Sequence, residues 1–484
     1  MGLVRGMLGG FRLSWAPILM TYFCYGASVV TRVAELFFQK DVLKLSPAEA
    51  AGIAFWLSLP WSMKMVAGVG SDVYPLFGSR RTAYLLLGGG LTLTGYGLLA
   101  TSVDTKAAYL VAALLVAVGF MVQDVVADAL SVEVAETDEE IGQIQTLGRM
   151  ALLLGGISVG YLSGWLAGTI GSRLTFAVAT ALPLLVGLSL TLGLRRRSPP
   201  RRAAPAATAA GPLGGGKAQL VLLVGLCYAA FGVGLETLQI AFSQEIVLVV
   251  SLVLISLLLQ KVGISRGVAV ASIVIFLFRA TPIVGQGYSY WAVDRLGFDQ
   301  QFLGLLAQVG SVLSLLGLLV FRKTIVKRPV SFTLLWVVIA GTVLYLPNIG
   351  LFYGLHDWLG ISAHTLAFID TTISAPLGQL TMVPMLVLIA KTAPRGAEAT
   401  MFAIMASLMN LALSASQLFT RYLNDLFHVT QQDYSSLGQL MIVVGMIGLV
   451  PLLVLPLLWN QEHGGATQES TEAPGVVELE SERR

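Results

Sequence analysis

The stretch FFQKDVLKLSPAEAAG, residues 37–52, returns in altered form as SYWAVDRLGFDQQFLG, residues 289–304. Each copy runs from aromatic residues to an aspartate (Asp41, Asp294), then to a helix start and a glycine. Ser46 followed by Glu49 has the form of a capping box, in which side chains and backbone satisfy each other's free N–H groups. Asp299 suits an N-cap, its carboxylate accepting from the first turn. The helix leading into each copy carries a proline, Pro17 or Pro282. Two related halves are therefore expected, beginning near residues 15 and 266.

Working outward, apolar blocks lie at 15–38, 49–70, 82–102, 107–131, 146–169 and 172–194. They resume at 218–236, 243–260, 266–291, 300–321, 330–350, 362–390, 398–422 and 436–459. Most approach the ~20 residues that a helix needs to cross about 30 Å of hydrocarbon. The expected fold is an all-α membrane protein with 14 spans. It divides into a six-helix half at 15–194, a Pro/Ala/Gly/Arg-rich cytoplasmic linker at 195–217, and an inserted helix pair at 218–260. A second six-helix half at 266–459 and a polar, disordered tail at 460–484 complete it. The first helix is expected to be retained rather than cleaved.

Composition agrees. Of 484 residues, 56% are hydrophobic and only 12% charged, and the mean hydropathy is +0.79. A soluble surface needs about twice that charge. The two cysteines, Cys24 and Cys227, sit in apolar runs, and the four histidines are scattered. No disulfide framework, metal centre or catalytic nucleophile is indicated, so neither an enzyme nor a cofactor is expected. No phosphate-cradling G-x-x-x-x-G-K-S/T run occurs, so ATP-driven pumping has no support. No nucleic-acid partner is expected.

Charge placement sets orientation. Of the 30 Lys and Arg, Lys40, Lys44, Lys106, Arg173, Arg295 and Arg421 fall on one side of the predicted spans. Arg32, Lys64 and Arg279 fall within spans, and all the others, Arg149 among them, fall on the opposite side. Basic loops stay in the cytoplasm, which places both termini inside, in a bacterial plasma membrane.

Ionisable groups within spans are costly and therefore candidates for function. Asp124 and Asp128 are four residues apart, on one helix face. Mutual repulsion would make one of them hold a proton more tightly, which suits proton coupling. Asp128 near a helix end could instead face water or Arg80 and Arg81. A buried Arg279 must meet an anion, from protein or substrate. Lys64 is a second cationic contact, or a lysine that snorkels to the interface. Arg32 and Glu35 could bind substrate or pair with one another, and Asp370 is a further binding candidate. Gly156, Gly160, Gly164 and Gly168 form a ridge for close helix packing. Trp56, Trp61, Tyr288 and Trp291 could stack on a flat ring or form an interfacial belt.

The loop GVGSDVYPLFGSRR, residues 68–81, resembles the signature loop of the major facilitator superfamily. Gly68 would allow close helix approach, Asp72 would accept hydrogen bonds, and Arg80 and Arg81 would hold the loop inside and latch the two halves. The corresponding turn FRKTIVKRP, residues 321–329, keeps the charges without the aspartate. Residues 37–52 together with LPWSMKMVAGVGSDVYPLFGSRRTAY (59–84), QDVVADALSVEVA (123–135), FLFRATP (276–282), LGFDQQFLG (296–304) and IAKTAPRGAEATMFAIMASLMN (389–410) are similar to the folate–biopterin transporter family. Met65 and the Ser79–Arg80 pair depart from that family's pattern, and the inserted pair matches nothing in it. The resemblance implies a major-facilitator fold of two rocking halves, acting as a monomer in a lipid bilayer, and a folate- or pteridine-like anion moved by proton symport. Arg279, Lys64, Arg32, Glu35 and Asp370 would hold the anion, and Asp124 and Asp128 would take the proton. The alternatives are a different small metabolite, or a non-transporting assembly factor or receptor.

Overall fold

A computed structural model describes residues 12–194, 215–377, 382–392 and 398–461. Most of the expected linker at 195–217, and the tail beyond Gln461, lie outside the described residues. The first half contains α1 (Leu13–Val42), α2 (Pro47–Ser62), α3 (Lys64–Val73), α4 (Thr82–Thr101), α5 (Lys106–Val134), α6 (Asp138–Ala179) and α7 (Ala181–Leu194). Then come α8 (Gly215–Thr237) and α9 (Ser243–Val262). The second half contains α10 (Arg266–Arg279), α11 (Gln286–Leu296), α12 (Gln300–Lys327), α13 (Val330–Phe352), α14 (Ala363–Ser374), α15 (Met382–Thr392), α16 (Glu398–Leu426) and α17 (Leu437–Gln461).

Every apolar block is largely helical, and ten helical runs among the described residues are long and apolar enough to cross a membrane. The protein is thus a multi-pass membrane protein. The expected count of 14 differs from ten for physical reasons. The block at 49–70 is interrupted at Met63 (φ −102°, ψ 12°), past a Pro60 that the helix accommodates. In two other blocks proline, which removes an N–H and crowds the turn before it, ends the helix. The block at 266–291 breaks over residues 280–285, around Pro282 and Gly285 (φ 68°). The block at 362–390 passes into a 3-10 turn, Ala375–Leu377, at Pro376. Conversely, two blocks merge into the run Glu139–Thr191, bent at Gly171, whose φ of 78° an L-residue adopts only with strain.

The helix starts follow the expected chemistry. The Ser46 hydroxyl accepts from Glu49 N at 3.1 Å while Ser46 N donates to Glu49 Oε2 at 3.0 Å. Asp299 Oδ1 accepts from Phe302 N at 2.8 Å.

Contact between the halves runs along α2 against α16 and α6 against α12. Gly160, Gly164 and Gly168 of the glycine ridge lie on the second seam, while Gly156 faces Gly26 of α1. A Cβ at Gly164 would lie 2.1 Å from Gln300 O and 2.8 Å from Gly304 Cα, and one at Gly160 would lie 2.6 Å from Gln308 Oε1. Here the backbones touch. Within the first half, α1 crosses α6 as tightly: a Cβ at Gly26 would lie 1.9 Å from Leu152 O, and one at Gly155 2.1 Å from Phe23 O. The inserted pair leans on both halves, α8 on α3 and α9 on α16. Gln244 of α9 donates to Gly52 O at 3.0 Å and accepts from Arg421 at 3.2 Å.

The two ends of the bundle differ. At one, Lys40 Nζ meets Asp294 Oδ1 across the halves at 2.6 Å, with Asp41 at 3.4 Å. Tyr434 donates to Asp294 at 2.6 Å, and Gln431 donates to Lys40 O at 3.1 Å and Leu45 O at 2.7 Å. The two aspartates of the sequence repeat thus converge on one lysine. At the other end, Arg81 donates to Asp72 at 2.6 Å, Glu133 at 2.7 Å and Ser71 at 2.7 Å. Those three acceptors all lie in the first half, so this clasp does not join the halves as expected. Arg80 is exposed. Nor does Gly68 permit a close approach: a Cβ there would sit 3.5 Å from Val125, an ordinary contact.

Candidate transport site

Midway between these ends, α1, α2, α3, α5 and α6 bring aromatic and charged groups together. Tyr25 stacks on Trp61 with ring centroids 5.1 Å apart and planes 25° from parallel, and Phe120 lies 5.6 Å from Tyr25. The break at Met63 starts α3 with Lys64, whose Nζ sits 4.8 Å above the Trp61 ring. Lys64 also forms an ion pair with Asp124. Asn410 of the second half donates to Trp61 O at 3.0 Å. One turn along α5, Asp128 accepts from the Tyr22 hydroxyl. Gly148 lets Tyr22 in, since a Cβ there would lie 2.7 Å from its ring.

The two aspartates share a helix face, as expected, but they have different partners: Asp124 has the Lys64 cation and Asp128 a phenol. Asp128 remains exposed although helices surround it, so it borders space between them. Glu35 accepts from the Thr31 hydroxyl at 2.6 Å. Arg32 is exposed on the same helix, near Glu35 but without an ion pair among the described residues. Lys64 is held by an ion pair rather than extended to an interface.

Arg279 and Asp370 lie elsewhere, in the second half. The Arg279 Nε is buried without a partner among the described residues. Asp370 accepts from Asn348 at 2.9 Å through Oδ2, while its buried Oδ1 has no such partner. Beside Asn348 opens a cavity of about 480 Å³, lined also by Phe278, Thr281, Tyr288, Thr342 and Tyr345. The structure brings Lys64, Asp124 and Asp128 together near Trp61. Arg32 and Glu35 sit along α1 beside Thr31, Asp370 pairs with Asn348, and Arg279 stands at the end of α10.

Sequence reasoning missed three participants. Tyr25 carried no signal beyond being aromatic. Lys40, read as a loop lysine, is 9% exposed and bridges the halves. Arg149, counted among the cytoplasmic charges, lies within α6 next to Gly148, which packs on the Tyr22 ring. Gln145, one turn earlier on α6, donates to Ser131 at 2.7 Å and approaches Asp128 at 3.5 Å.

Among the described residues the chain is an all-helical bundle with charges and stacked rings between its helices, an architecture of major-facilitator type. Solved structures agree in fold. A POT family transporter in complex with 5-aminolevulinic acid superposes with a TM-score of 0.65 at 15% identity, covering 91% of this chain and 95% of that one. The nucleoside transporter NupG gives 0.64 at 12%, covering 92% and 100%. The chain belongs to the BT1 family, whose model matches residues 26–473. The folate-biopterin transporter of Synechocystis sp. is 30% identical over 453 residues, 92% of this chain and 82% of that protein. Folate transporter 1 of Plasmodium falciparum is 22% identical, covering 92% and 79%. The resemblance to folate–biopterin transporters stands, and these relatives are transporters, not enzymes.

Proposed function

We propose that the protein is a secondary transporter of a folate- or pteridine-like anion, working by alternating access and coupled to protons. The observation that carries this reading is the Tyr25–Trp61 stack with Lys64 above it and Asp124 paired to Lys64. A flat conjugated ring can lie against the aromatic pair, an arrangement worth about 0.5–1.5 kcal/mol beyond area burial. An anionic group reaching Lys64 competes with Asp124. A displaced Asp124, next to Asp128, faces like charge without its cation, and proton uptake relieves that repulsion. Substrate binding and protonation are then linked through one lysine. Arg279, Arg32, Glu35 and Asp370 would line the remainder of the path.

In this reading the molecule is a monomer of 14 crossings in a bacterial inner membrane. The broken blocks at 49–70, 266–291 and 362–390 each cross once, and Gly171 divides the longest run. Both termini and the Arg81 clasp face the cytoplasm, and the Lys40–Asp294 contact closes the outer face.

Uptake of labelled folate and biopterin into vesicles under an imposed pH gradient tests the proposal. Gradient-driven uptake that Trp61→Phe retains and Trp61→Ala loses is expected. Wild-type protein, shown to be folded, that moves neither compound would remove the substrate assignment. Gradient-driven uptake undiminished in Asp124→Asn would refute that proton site.

A further inference from the structure

Arg149, near the stacked rings, has no ion-pair partner among the described residues. Lys64 has Asp124. Arg149 forms no ion pair or hydrogen bond with another described side chain. Its direction follows from its helix: Gln145, four residues earlier, points at Ser131 and Asp128, and residues four apart share a face. Arg149 therefore projects one turn deeper along the border where Asp128 is exposed, and it is itself exposed. Turned to lipid, a guanidinium would cost several kcal/mol. Facing the water between the helices, it stays solvated and free to take a ligand. Tyr25 is the shared neighbour: it stacks on Trp61, and α6 passes it closely on either side of Arg149. A Cβ at Gly148 would lie 2.7 Å from the Tyr22 ring, and one at Gly26, next to Tyr25, would lie 1.9 Å from Leu152 O.

We propose that Arg149 is a specificity-determining residue that receives the carboxylate-bearing tail of a substrate whose ring lies on Tyr25 and Trp61. A guanidinium presents donors in a planar fork that matches a carboxylate, which an ammonium does not. A pterin carrying a glutamate tail engages Arg149; a pterin without carboxylates does not. The inference rests on the transport reading of the same site.

The test compares folate, which has the carboxylates, with biopterin, which lacks them, for wild type, Arg149→Gln and Arg149→Lys. Two readouts are taken: vesicle uptake, and binding to purified protein by quenching of tryptophan fluorescence. In Arg149→Gln the folate-to-biopterin ratio should fall on the order of tenfold in both, the worth of one charge-assisted hydrogen bond. Arg149→Lys should recover part of that ratio. Because the readout is a ratio within one variant, a general loss of folded protein cancels. A ratio that falls by less than threefold overturns the assignment of Arg149. Binding that discriminates in wild type without any uptake removes the transport reading, and the binding ratio of Arg149→Gln then decides the assignment of Arg149 on its own. Wild type that neither binds nor moves either probe removes both.

Discussion

Replacing Lys40 with methionine keeps most of the side-chain volume and leaves Asp294 without its cation. The pair is short, 2.6 Å, and Lys40 is only 9% exposed, but Asp294 is 30% exposed. Breaking a fully buried pair costs about 3–5 kcal/mol. Asp294 keeps some water and its hydrogen bond from Tyr434, so roughly half that figure, about 1.5–2.5 kcal/mol, is the reasonable charge against the closed arrangement. At 1.36 kcal/mol per factor of ten, the population opened at this end should rise roughly 10- to 70-fold. Leu45 can report the change: it is 3% exposed, and Gln431 holds its carbonyl at 2.7 Å. In a Cys24→Ser, Cys227→Ser background, Leu45→Cys should react with an impermeant maleimide faster by that factor once Lys40→Met is added. Exchanging the charges, Lys40→Asp with Asp294→Lys, should slow the reaction again. Equal labelling rates with and without Lys40→Met would refute the reasoning, because the contact would then contribute nothing to closure.

Other substitutions probe other links. Gly164→Val should abolish uptake while the protein stays folded, since a Cβ 2.1 Å from Gln300 O cannot be accommodated with the halves in contact; uptake together with melting temperature reads this. Gly26→Ala places its Cβ 1.9 Å from Leu152 O and should destabilise the first half by about 1–3 kcal/mol or more, the usual cost of overpacking, seen as a lower melting temperature in detergent. Ser46→Ala removes one side of the capping box and should cost about 1 kcal/mol without altering the folate-to-biopterin ratio. Arg81→Gln releases Asp72 and Glu133 together, and protease should then cut the 74–81 loop sooner than in wild type.

The helical blocks were legible because apolar length is a local signal. The glycine ridge on α6 was legible for the same reason: spacing alone puts Gly160 and Gly164 on one face, and both meet α12. The helix breaks were harder, since a proline in an apolar run says only that something yields nearby: the helix runs through Pro60 and is interrupted at Met63, and that break places Lys64 over Trp61. Partnerships across the chain were not legible. Lys64 and Asp124 are 60 positions apart and Lys40 and Asp294 lie in different halves, so no periodicity connects them. Counting basic residues by loop says nothing of depth or facing: Lys40 is buried against Asp294, and Arg149 lies within α6. The aligned aspartates Asp41 and Asp294 were the exception. The repeat marked both, though not the lysine between them.

The backbone contact of Gly164 with Gly304 has a mechanical consequence. Under the alternating access proposed above, two chains touching without side chains between them leave nothing to compress, and the contact would act as a fulcrum. It lies toward the Lys40 end of the bundle, so the opposite end is the long lever arm. A tilt of roughly 15° about such a point, carried over about 30 Å of hydrocarbon, separates the far helix ends by roughly 8 Å. That gap is wide enough to admit a flat ring edge-on, and it arises without stretching any contact near the pivot. Side chains added at the fulcrum would shorten the stroke, which makes glycine at these positions a setting for how far the molecule opens.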